Sequence, residues 1–233
     1  MWYNESMKKI ILPVVAAVIV AAGVYAVKSY ITKVRDAADR EGRLELTQFY
    51  KLAGNGYPDA KARTNLVALI EKMELTSKKC RDDMREQLFA RRLDGAFIVG
   101  DYAKAELLMD ELPGKSANWK AGAKAKIRAH AAQDKGDKAT ALKEYGVFLE
   151  AMRADASDVS EIDPYTGVEW TKEMIVARNL KRMAGLAADI GKADEAAKLL
   201  AEAKEVFKAA LEKAKDDPEM KAAIEKDAGD LIK

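Results

Sequence analysis

Gly100-Asp101-Tyr102-Ala103-Lys104-Ala105, Gly136-Asp137-Lys138-Ala139-Thr140-Ala141 and Gly191-Lys192-Ala193-Asp194-Glu195-Ala196 read as three copies of one turn. Each has Ala five residues after Gly and a bulky residue nine after it: Met109, Tyr145 and Leu200. A tight connection between two helices needs a residue that accepts positive φ, and Gly does so without steric penalty. The Ala lets the second helix approach the first, and the bulky residue one turn on is placed to pack on the next pair. One such pair cannot bury its apolar face alone, so the pairs must stack. The glycines stand 36 residues apart (100 to 136) and then 55 (136 to 191). The surplus matches the stretch 155–171, DASDVSEIDPYTGVEWT, which shows no helical period and reads as a loop inserted between two repeats.

Helical periodicity surrounds these turns. It predicts helices over 60–73, 82–99, 103–112, 119–134, 139–153, 172–190, 194–215 and 218–231. Asp217-Pro218 opens the last as an N-cap followed by Pro at the first helical position. Gly54-Asn55-Gly56-Tyr57-Pro58 is a break. The chain is expected to be all-α, an array of helical hairpins over 54–233 carrying the inserted loop 155–171.

The N-terminal part is of another kind. After a tail over 1–9, Ile10 to Val27 reads IILPVVAAVIVAAGVYAV, without one charged side chain. Eighteen helical residues span about 27 Å, close to the hydrocarbon thickness of a bilayer. Pro13 is expected in the first turn, and Tyr25 and Tyr30 at the interface with Lys28 and Lys33 beyond. The run reads as a single transmembrane anchor, with a cleaved signal peptide as the competing reading. Residues 28–53 continue it as a helical stalk and first repeat helix. Counting Lys and Arg alone would leave the C-terminal part in the cytoplasm. Long domains translocate largely regardless of charge, however, and the Met7-Lys8-Lys9-apolar start is that of an export signal. The expected location is a bacterial inner membrane, with the repeat domain in the periplasm.

Forty basic residues against 38 acidic ones leave a net charge of +2, which argues against a nucleic-acid binder. One cysteine, Cys80, precludes an internal disulfide and any cysteine-based metal site.

The turn Gly100-Asp101-Tyr102-Ala103-Lys104-Ala105 and the hairpin period resemble the tetratricopeptide repeat family over roughly 86–213, with a more degenerate pair over 44–73. An apolar N-terminal run ahead of such repeats is similar in layout to the YfgM-like bacterial envelope proteins. The resemblance implies a concave groove lined by the first helix of each pair. Alignment on the Gly turns places Lys126 and His130 there in one repeat, and Arg178 and Lys181 in the next. Such a groove is basic and suits an acidic peptide or a carboxylate terminus. The Asn positions of the family's carboxylate clamp are filled here by His130 and Gly185.

Nothing in the sequence carries chemistry. There is one histidine, no phosphate-binding glycine loop, no zinc-protease helix and no nucleophile elbow. Asp155, Ser157, Asp158 and Glu161 offer oxygens, but a calcium loop counted from Asp155 meets Ser160 and Thr166 where Gly and Glu are required. No catalytic residue, metal ligand or cofactor is therefore expected. Tyr165 and Trp170 are the loop's large aromatics and its candidate partner contacts. The expected function is a membrane-anchored scaffold that binds other proteins, an accessory or assembly factor of a membrane complex. The alternative is a structural subunit that tethers or spaces other components.

Overall fold

The computed structural model describes residues 5–53, 59–112, 116–154, 161–162 and 169–232, with backbone alone for 5–19, 21, 161, 162 and 169. The fold is all-α. The described helices are α1 (Glu5–Ala53), α2 (Ala60–Ser77), α3 (Asp82–Ile98), α4 (Tyr102–Glu111), α5 (Ala117–Asp134), α6 (Lys138–Ala154), α7 (Lys172–Asp189), α8 (Ala193–Lys213) and α9 (Pro218–Ala228), closed by a 3-10 turn Gly229–Ile232. Each packs chiefly on its neighbours in chain order, with α1 also touching α3 and α7 also touching α9.

The three aligned glycines take one conformation: φ is +79° at Gly100, +78° at Gly136 and +78° at Gly191. Each closes the same double hydrogen bond. Gly100 and Asp101 donate to Phe97 and Ala96, Gly136 and Asp137 to Gln133 and Ala132, Gly191 and Lys192 to Ala188 and Ala187. This left-handed ending satisfies carbonyls that a helix C-terminus leaves orphaned. Asp101 and Asp137 then start the next helix by accepting from the N–H of Lys104 (3.1 Å) and Thr140 (3.0 Å). The Ala five residues on is buried in all three copies. The bulky position is buried at Met109 and Tyr145 but 37% exposed at Leu200. The helix following α8 has 11 residues against its 21, too short to repeat the cover the earlier copies receive.

The inserted segment forms a minimal antiparallel pair, β1 (Glu161–Ile162) with β2 (Glu169–Trp170), where only loop was expected. The expected N-terminal tail over 1–9 is already helical from Glu5. Pro13 accordingly lies two turns inside α1 and not in its first turn. The segments expected as anchor and stalk form one unbroken helix of 49 residues, about 73 Å long. Its first buried described residue is Ala38. Val20, Val24, Tyr25, Val27 and Tyr30 are each more than half exposed. The side chains of residues 10–19 and 21 lie outside the described residues; among the described residues no helix is long and apolar enough to cross a membrane.

The core falls into three clusters. Phe49, Leu66, Ile70, Met73 and Leu88 join α1, α2 and α3. Ala96, Ala105, Leu108, Met109 and Ile127 join α3, α4 and α5. Tyr145, Phe148, Met174, Leu180, Phe207 and Ile224 head the largest, from α5 to α9. Helices α5 and α6 approach closely at Gly122, where a methyl group would come within 2.6 Å of the Ala151 Cβ.

Candidate partner-binding face

The face in question is carried by α3, α5 and α7, the first helices of their pairs. On α5, Lys126 lies half-buried with Nζ 5.3 Å from the centre of the Phe148 ring. One turn on, His130 stands edge to face with Phe97 of α3 (4.7 Å) and Tyr145 of α6 (5.6 Å). From α7, Arg182 Nη1 lies 3.0 Å from His130 Nε2 and donates to Tyr145 Oη at 2.9 Å. A guanidinium has no acceptor, so Nε2 must accept and the neutral ring carries its proton on Nδ1. Burial pushes the imidazole pKa down to about 3, helped by the positive charges of Arg182 and Lys126. His130 is thus a joint between three hairpins, and its Nε2 is committed to Arg182.

On α7, the Arg178 guanidinium lies 4.2 Å above the Trp170 ring and forms an ion pair with Asp227 Oδ2 at 2.7 Å. Lys181 Nζ donates to the carbonyls of Asp227 (2.6 Å) and Ala228 (3.4 Å). Both cations hold the C-terminal end of α9 and do not line an open groove. The four basic-groove residues are therefore split: Lys126 and His130 face the α5–α6–α7 junction, while Arg178 and Lys181 face α9.

Trp170, a candidate partner contact, is not presented at the surface. It is 7% exposed, because the β1–β2 pairing and the N-cap at Thr171 turn it into the core beneath Arg178. Tyr165 lies outside the described residues.

Alignment on the glycines missed Arg182, the neighbour of Lys181, which reaches back to His130 and Tyr145 of the preceding repeat. It missed Asp227 as well; the only signal was an acid in the last turn of a short helix. A third surface had no signal. Leu46 and Tyr50 of α1 with Asp83, Glu86, Gln87 and Arg91 of α3 line a groove of about 510 Å³. Tyr50 is half exposed there, with the Arg91 guanidinium 5.6 Å from its ring centre.

The shifted carboxylates are held in their ionised form. Arg92 is the main cause at Glu74, the N-cap bond from Thr140 at Asp137, and the bond from Lys213 at Glu173; all three lie below the ordinary range. Such groups suit pairing and capping.

No protein-family model matches the chain, and no curated protein matches it.

Proposed function

We propose that the chain is a membrane-anchored helical-repeat scaffold that binds other proteins, and not an enzyme. One observation carries this reading. The first helix runs unbroken from the apolar stretch into the packed array, while Val20, Val24 and Val27 stand outside every core cluster. A helix apolar on all sides needs an environment that covers it, and lipid does so. Residues 10–27 are the single transmembrane span on this reading, in a bacterial inner membrane with the array on the periplasmic side. Residues 28–37 hold the array about 15 Å from the bilayer. The array itself is of the tetratricopeptide type. Support comes from the three superimposable glycine turns and the buried alanines behind them. The accessory or assembly role in a membrane complex follows from that pairing of anchor and array; a fixed structural subunit is the alternative.

Two measurements test it. The full chain stays in carbonate-washed membranes, whereas Val20→Asp with Val24→Asp moves it to the soluble fraction; a soluble wild type sinks the anchor. Partners recovered in gentle detergent stay bound to a chain beginning at Lys28 when the array is the binding module. Loss of partners with the anchor favours the subunit reading. Recovery of none from either form removes the scaffold reading.

A further inference from the structure

Helix α9 is attached unlike the other helices of its cluster. It buries two side chains, Ile224 and Ala228, where α7 buries ten. Met220 and Ala223 pack against the core only partly buried, and the remaining hold is polar and lies at the C-terminal end. Arg178 takes the Asp227 carboxylate, and Lys181 takes two carbonyls of the last turn. Arg178 lies over the Trp170 ring at 4.2 Å, and this contact holds its guanidinium in place before any ligand arrives. A cation aimed at the last carbonyls of a helix, beside a second that takes a carboxylate, recognises a specific object: the C-terminal turn of a helix with an acid in it. The apolar part of the recognition is Ile224, three residues before the acid, and Ala228, the residue after it.

We infer that α9 is a releasable occupant of this face of α7, and that a partner protein binds by replacing it with an acidic helix end of the same pattern: apolar residue, acid three residues on, then a small residue. The inference rests on the scaffold reading and specifies its ligand. The Arg178–Asp227 pair is partly exposed (side chains 41% and 25%), the range in which ion pairs are weak and exchangeable. Local opening of an element with few buried contacts is the least demanding opening a fold offers. The turn 214–217 between α8 and α9 has no glycine to fix its direction.

The test uses the full chain and a fluorescent peptide of residues 217–232, the occupant itself, followed by anisotropy. Asp227→Lys in the chain repels its own α9 from Arg178 and Lys181, and Ile224→Asp removes the apolar anchor; both leave the labelled wild-type peptide intact. Both variants are expected to bind the peptide at least about tenfold more tightly than the wild-type chain, because a closed site reduces apparent affinity by the fraction that is open. Adding Arg178→Glu and Lys181→Glu to either variant returns binding to the wild-type level. A peptide carrying Asp227→Lys does not bind. Equal binding by wild-type and release variants overturns the inference, and so does binding that survives reversal of Arg178 and Lys181. Either failure leaves the membrane-fractionation and co-purification results standing, so the scaffold reading falls or stands separately.

Discussion

The α1–α3 unit and the α5–α8 pairs solve the same packing problem with different chemistry. In α5–α8 the described core is almost wholly apolar, and its buried polar residue, Asn179, is satisfied by the Ile175 carbonyl one turn back (2.6 Å). In α1–α3 five buried polar residues stand among the apolar ones: Asp39, Glu45, Thr76, Ser77 and Arg92. Glu45 is fully buried, with Oε1 accepting from Thr76 (2.8 Å) and Lys72 Nζ 3.4 Å away. The α2–α3 turn has no left-handed glycine. Asp39 of α1 replaces it from outside, accepting the Arg81 N–H at 3.1 Å and Arg81 Nη1 at 3.2 Å. Arg85 ties down the carbonyls of Ser77 and Cys80 from the other side. The pairs that repeat are set by their own turns. The unit that receives the long helix is set by α1, so the direction of α1 and the α2–α3 turn are one structure.

The largest expected effect probes the apolar side. Phe207 of α8 is fully buried in the largest core cluster. Phe207→Ala is expected to lower unfolding free energy by about 3–5 kcal/mol through lost transfer energy and the cavity left behind. Urea unfolding followed by circular dichroism measures it; a loss near zero means the α8 core is not packed as described.

The polar side breaks differently. Thr76→Val leaves Glu45 without its hydroxyl donor and is expected to cost about 2–3 kcal/mol, since the acceptor is a buried carboxylate. Thr76→Val combined with Glu45→Leu removes both partners and is expected to recover most of that loss, because an apolar pair needs no partner. If the double variant is as stable as wild type but α1 no longer holds its direction, measured by spin-label distances between the exposed residues 30 and 71, the polar lock sets geometry and not stability. Should the single variant be neutral, the contrast between the two regions fails at its strongest point.

His130 supplies a pH dependence to the apolar region. Its folded pKa is depressed to about 3 from an unfolded 6.5, so the fold prefers the neutral ring. That stability is complete above about pH 6.5 and is lost as pH falls toward the folded value. Between pH 7 and 4.5 the loss is about 2 kcal/mol, allowing for the part of the ring still open to solvent. His130→Gln removes this slope while keeping an acceptor for Arg182; an unchanged slope in that variant assigns the pH dependence elsewhere.

The repeated region was legible because its determinants are local. Gly100, Gly136 and Gly191 fix their turns through their own backbone, and the helices around them fall within a few residues of the expected limits. Asp217 accepts from the Met220 N–H with Pro218 at the first helical position, as the dipeptide implied. The α2–α3 turn was not legible, because the residue that caps it stands 42 positions upstream at Asp39. The groove residues were half legible. Periodicity assigns a side chain to a face but says nothing of a later helix laid across that face, and α9 across Arg178 and Lys181 changed what those residues do. The burial of Trp170 was not legible for a similar reason: a polar, Gly- and Pro-containing sequence does not reveal the two-residue strand pair that ends in the buried ring.

The smallest effect gives the sharpest contrast. A Cβ at Gly136 or Gly191 meets no atom within 4 Å, and at Gly100 only the edge of Tyr102 at 3.9 Å. Substitution by Ala therefore creates no clash, and what remains is the strain of a left-handed L-residue, about 1–2 kcal/mol, partly offset by about 0.4–1 kcal/mol because Ala restricts the unfolded chain. Gly136→Ala and Gly191→Ala are each expected to cost about 1 kcal/mol, equally, since φ is +78° at both. The two turns are neighbours in the array, linked by the Lys138–Asp189 ion pair at 2.9 Å, so any departure of the double variant from the sum measures their coupling. Unequal costs would show that the turns differ in what their surroundings demand despite the same φ. Equal costs mean that one backbone device, used again, sets the hairpins that α1–α3 assembles with buried charge.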